Sequence, residues 1–190
     1  MIKNYFTAAS FVTFIALLAA PQAWADDYMC PPSLGAVTIE GNLVVDGTCN
    51  LNGTIIDGDV KLLAGADLFT NGATIKGNVQ DEESGVARVR LSFTDVEGSV
   101  QLENVSGAGT SQISDSTING SVQLEVNSVS FIVKDNNIGS DLQANYNTGG
   151  IDIRTNVIDG NLQCQGNNPA PTGGANVVGG NAENQCKHLD

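Results

Sequence analysis

From Leu43 onward the chain alternates apolar and polar residues in short bursts, and each burst follows a small residue and then a polar one. The starts are Gly41-Asn42-Leu43, Gly58-Asp59-Val60, Gly77-Asn78-Val79, Gly98-Ser99-Val100, Gly120-Ser121-Val122, Ser140-Asp141-Leu142, Gly160-Asn161-Leu162 and a degenerate Gly180-Asn181-Ala182. Successive starts lie 17, 19, 21, 22, 20, 20 and 20 residues apart, and GSVQL recurs unchanged at Gly98 and Gly120. Two and four positions after most starts stand apolar residues, such as Val100 and Leu102 or Val122 and Leu124. Between them come Gln80, Gln101, Gln123, Gln143 and Gln163. A period of two is that of a strand with one face inward, so the glutamines are expected to point out.

A second strand precedes each start. Leu34, Leu51, Leu91, Ile113, Val133 and Ile153 lie seven positions before it. Two positions before it stand Ile39, Ile56, Ile75, Val96, Ile118, Ile138, Ile158 and Val178, without exception. A unit of about 20 residues with two or three strands cannot bury its own apolar side, but a stack of such units forms one continuous core. The pattern predicts an all-β fold, a right-handed parallel β-helix (β-solenoid) of about eight coils of roughly 20 residues. The alternative, an antiparallel sandwich with evenly spaced strands, gives no reason for the isoleucine column.

Residues 1–25 stand apart from this rhythm. A basic start at Lys3, an apolar run from Tyr5 to Ala20 and a small-x-small site at Ala23-Trp24-Ala25 predict a cleaved signal peptide. The run is short for a bilayer span, so stable membrane insertion is not expected. Residues 26–190 are then a single solenoid domain, exported to an extracellular or periplasmic compartment.

All 21 acidic residues but only seven of the eight basic ones lie beyond residue 25, for a net charge near −14. That balance disfavours nucleic acid, whose phosphates need clustered Lys and Arg. The four cysteines, an even number behind an export signal, read as disulfides. Cys30–Cys49 and Cys164–Cys186 each join adjacent coils in this register, and each would stabilise a chain end by roughly 3 kcal/mol.

Candidate chemistry lies on the outward positions. Gln101, Glu103, Gln123, Glu125, Gln143 and Gln163 form a flat polar face available for interaction, with Asn145 and Gln165 beside them. Glu82, Glu103 and Glu125 fall in one column at a strand spacing of roughly 4.8 Å, where Ca²⁺ could relieve their repulsion; no other cofactor is called for. Thr54, Thr94, Ser116, Asn136, Asn156 and Asn176 form a corner column, expected to tolerate left-handed backbone angles and to stack as a ladder. His188 is the sole histidine, so no Ser-His-Asp or Cys-His nucleophile constellation is expected. No amphipathic capping helix is evident, and open strand edges at the ends invite self-association.

Ile75-Lys76-Gly77-Asn78-Val79 and its relatives resemble the Gly-hydrophobic repeats of bactofilins, bacterial polymer-forming β-solenoids. Bactofilins are typically cytoplasmic and lack disulfides, so an exported chain departs from them. The ending GNLQCQGNNPAPTGG…NVVGGNAENQC resembles uncharacterised secreted bacterial proteins. The resemblance implies export and a solenoid and supplies no activity. The expectation is an exported, non-enzymatic structural or surface-interaction solenoid. Its expected partner is a second copy, or a polysaccharide or protein of the cell envelope or extracellular matrix. The alternative is a polysaccharide-binding or polysaccharide-degrading, pectate-lyase-like β-helix.

Overall fold

The computed structural model describes residues 27–190; the expected signal peptide, residues 1–25, lies outside them. The described chain folds into 24 short strands. They pair in parallel into sheets of nine, seven and eight strands. The nine-stranded glutamine sheet carries the GSVQL segments, Val100–Glu103 and Val122–Glu125. The seven-stranded wide sheet has strands such as Thr48–Asn52, Asp67–Asn71, Arg88–Ser92 and Thr110–Ser114. The eight-stranded narrow sheet is built of two-residue strands such as Thr117–Ile118.

From Thr48 each turn of chain visits the wide, narrow and glutamine sheets in that order, and the 21 strands that follow make seven turns. The sequence expectation of about eight coils corresponds to these seven turns together with an opening part-turn. Gly41 belongs to that part-turn, in which a single bridge from Leu34 to Leu51 holds the wide-sheet position. The inward columns are those read from the alternation. Val60, Val79, Val100, Val122, Leu142 and Leu162 are in register and fully buried, as are Ile113, Val133 and Ile153.

Three kinds of corner close each turn. Between the narrow and glutamine sheets stand the anchor glycines, and their role is close approach. A Cβ on Gly98 would lie 2.6 Å from the carbonyl oxygen of Gly77 and 2.5 Å from Asn78 Oδ1. The polar residue after most anchors binds the next turn: Asn42, Asp59 and Asn78, for example, accept the backbone N–H of Asp59, Asn78 and Ser99 through their side-chain oxygens. The small-then-polar signature of the sequence is thus one hydrogen-bonded contact repeated up the stack.

Between the wide and narrow sheets lies the expected corner ladder. The N–H of Ser116 donates to Asn136 Oδ1, that of Asn136 to Asn156 Oδ1, and that of Asn156 to Asn176 Oδ1. Each Asn amide also donates back to a carbonyl, of Ile113, Val133 and Ile153 respectively. The left-handed residue is the one before the ladder position, Asp115, Asp135, Thr155 and Ala175, with φ of 52–56°. The ladder residues were expected to take that conformation themselves. Their saturated side chains instead hold their neighbours in it, which for residues with a Cβ is costly.

A second ladder, not read from the sequence, lines the corner between the glutamine and wide sheets. The N–H groups of Val105, Asn127 and Asn147 donate to Asn127, Asn147 and Asn167 Oδ1. The last acceptor in the series is Gln185 Oε1, bound by Asn167 N–H at 2.8 Å. Both predicted disulfides are formed, with Cα separations of 5.7 Å for Cys30–Cys49 and 5.2 Å for Cys164–Cys186, and they fit an oxidising extracellular or periplasmic environment. The Cys186 bridge draws the tail across the end of the core, where Leu189 is buried and its carbonyl accepts from the backbone and amide of Asn176.

Candidate interaction faces

The outward column of the glutamine sheet runs Gln80, Gln101, Gln123, Gln143, Gln163 and Glu183 in continuous register. Gln101 Nε2 donates to Gln123 Oε1 at 3.2 Å, and Gln163 Nε2 to Glu183 Oε2 at 3.3 Å. Beside it run Glu103, Glu125, Asn145 and Gln165. All six residues assigned to an interaction face therefore share one sheet, because a period of two sends every second residue of each GSVQL strand outward.

The three glutamates of the calcium column are placed less simply. Glu103 and Glu125 are direct cross-strand partners. Glu82 lies just beyond the strand Val79–Asp81. Each carboxylate is engaged by a separate amide: Glu82 by Gln80 at 2.8 Å, Glu103 by Asn104 at 3.1 Å and Glu125 by Asn145 at 3.1 Å. Neutral donors thus offset the repulsion for which a cation was invoked. Among the described residues no group of three acidic, histidine or cysteine side chains is placed to hold a metal ion.

A residue missed in the sequence is Asp81. It occupies a core column, directly opposite the buried Leu62, where neighbouring turns carry Leu102 and Leu124. The strand stops there, and the N–H of Glu103 donates to Asp81 Oδ1 at 3.0 Å. The gap leaves a depression of about 300 Å³ lined by Gln80, Asp81, Gln101, Glu103, Gln123 and Glu125. Burial pushes the Asp81 carboxyl above its ordinary value; the Glu103 N–H opposes this, and the Glu103 and Glu82 charges add to it. The signal available in sequence was a single carboxylate at the fourth position after Gly77, where the other turns carry Val, Leu, Ala or Cys and, at the last, Asn184.

Most of the cations lie elsewhere; Lys61, in the strand Val60–Leu62 and directly opposite Gln80, is the exception. Arg88, Arg90, Lys134 and Arg154 all belong to the wide sheet. Five basic side chains are paired: Lys61 with Asp27, Lys76 with Asp57, Arg88 with Asp67, Lys134 with Asp135 and Arg154 with Asp152. Acids lining the depression and the arginines of the wide sheet therefore face solvent on different sides of a corner. His188 sits in the tail, beside the buried Leu189.

Of what the resemblance implied, the β-solenoid architecture is present. No family model, no curated protein and no solved structure matches the chain.

Proposed function

We propose that this chain is an exported, non-enzymatic surface-interaction module, a stiff solenoid that meets its partner through the glutamine sheet. The observation that carries the reading is the unbroken in-register amide column Gln80, Gln101, Gln123, Gln143 and Gln163. Side chains that both donate and accept, repeated at a strand spacing of roughly 4.8 Å, suit a flat, repetitive partner such as an envelope polysaccharide or a second copy. A catalytic reading would rest on carboxylates alone, since the other side chains lining the acidic depression are amides and one leucine.

Retention on the organism's own envelope and matrix material tests the proposal. The protein is expected to be retained, and the triple variant Gln101→Arg, Gln123→Arg, Gln143→Arg to lose retention with its fold intact. Equal retention of the two proteins sinks it. Self-association is the second mode of contact. The tail across the core end favours side-by-side over end-to-end pairing, since stacking on that end must displace Leu189. Light scattering with and without Ca²⁺ separates the modes: side-by-side pairing is abolished by the triple variant, and end-to-end stacking is not. Release of unsaturated or reducing ends from an acidic polysaccharide by purified protein would instead favour the degrading alternative.

A further inference from the structure

The wide sheet carries a groove of about 370 Å³, within the range of small-ligand sites. Its floor is the outward column Asn50, Phe69, Arg90 and Gln112, and its wall the next column, Asn52, Asn71 and Ser92. Arg90 stands in the middle. Its Nε donates to the Thr110 carbonyl at 3.3 Å, and its guanidinium lies 5.0 Å from the Phe69 ring centroid. Arg88, bound to Asp67 through two nitrogens, flanks the same ring at 4.8 Å. The two terminal nitrogens of Arg90 are left without a protein acceptor among the described residues, and no carboxylate lines the groove. In a chain of formal charge −13 whose other sheet cations are all paired, this is a deliberate-looking exception.

We propose that this groove is an anion-binding subsite that takes the carboxylate of an acidic oligosaccharide of uronate type. A guanidinium held on an aromatic face and tethered at Nε is oriented before the ligand arrives, so little freedom is lost on binding. Its two terminal nitrogens present the fork that matches a carboxylate. Around it the lining is neutral: Asn52 and Asn71 spend their amides on no protein partner among the described residues, and Ser92 offers a hydroxyl. Amides and hydroxyls that donate and accept suit sugar hydroxyls. An acidic peptide would want several cations, or a free strand edge for its backbone. Here one cation is free, Arg88 being taken by Asp67, and strands on both sides already use the backbone groups. This inference stands on the wide sheet and does not depend on the glutamine sheet.

The test is titration of purified protein, disulfides formed, with a uronic-acid hexasaccharide, a neutral hexasaccharide and hexaglutamate, followed by calorimetry and NMR at about 0.1 M salt, where the Debye length is about 10 Å. The uronate is expected to bind, and the neutral sugar and the peptide to bind at least about tenfold more weakly. Arg90→Gln removes the fork, and Asn71→Glu places a like charge on the exposed wall while leaving Arg90 packed. Each should weaken uronate binding about tenfold to a hundredfold, the usual worth of a charge-assisted hydrogen bond. Arg154→Gln, further along the same sheet, should leave it unchanged. The proposal is overturned if no uronate binding is detected, or if Arg90→Gln and Asn71→Glu bind as wild type. It is equally overturned if Arg154→Gln loses as much, or if the neutral sugar or hexaglutamate binds as tightly.

Discussion

At Gly98 a single hydrogen atom decides how closely two turns can stack. An added Cβ meets backbone 2.6 Å away and a side-chain oxygen 2.5 Å away, neither of which is free to move. Gly98→Ala should therefore cost about 2–3 kcal/mol, at the upper end of overpacking effects, as read by urea denaturation. Gly35→Ala, with nothing within 4 Å and no left-handed angle, should be neutral or slightly stabilising in the same assay. Asp81 gives a second residue-scale expectation. Because burial raises its folded value, the stabilisation from its proton is complete below the unfolded value of 3.8 and is lost as pH rises through the raised one. Asp81→Asn keeps the Oδ1 acceptor for Glu103 without the charge. It should be more stable than wild type at about pH 7 and indistinguishable at about pH 3; an equal difference at both would contradict the assignment. The anchor glycines were legible in the sequence as a rhythm, but their purpose was not. Spacing reports that a residue must be small and is silent on whether angle or clearance demands it.

Strands and corners contribute differently. The strands are short, two residues in the narrow sheet, so a turn is held as much by its buried corners as by its ladders of backbone bonds. Asn147 shows why. It accepts from the Asn127 N–H, donates to the Leu124 carbonyl and donates to Asn167 Oδ1. Asn147→Ala would leave several buried groups unpaired, at about 1–3 kcal/mol for each such group, and a loss near 3 kcal/mol is expected. Asn145→Ala, on the half-buried outer column two residues away, should cost well under half of that; equal losses in thermal melts would mean the ladder carries no special weight. The inward columns and the first ladder were readable because they persist through most of the stack. The second ladder escaped notice because Val105 and longer loops hold its place in earlier turns, leaving only Asn127, Asn147 and Asn167 to mark it. The polar face was legible as a set of residues. The Asp81 gap and the Arg90 groove were not, since each depends on which neighbours meet across strands and not on any period.

The whole molecule is a linear stack in which each turn touches chiefly the ones above and below, so its stability is close to a sum of neighbour contacts. Its ends are where that sum is weakest, and there the chain places its two disulfides. Reduction is expected to lower stability by about 2–4 kcal/mol per bridge. Hydrogen exchange should accelerate first at the outermost turns, with Val122–Glu125 still protected; uniform acceleration would argue against a stack that unzips. Between these ends the amide corners have a property of another kind. Every rung accepts from one turn and gives to the next, so the column is indifferent to how many rungs precede it and sensitive only to their being whole. The last four anchors stand a uniform 20 residues apart. A block such as residues 140–159 could be copied or removed as a unit with every acceptor still matched, while a cut that is not a whole number of turns would misalign both corners together. The molecule is in this sense a ruler with fixed graduations, whose reach its lineage can lengthen or shorten one mark at a time.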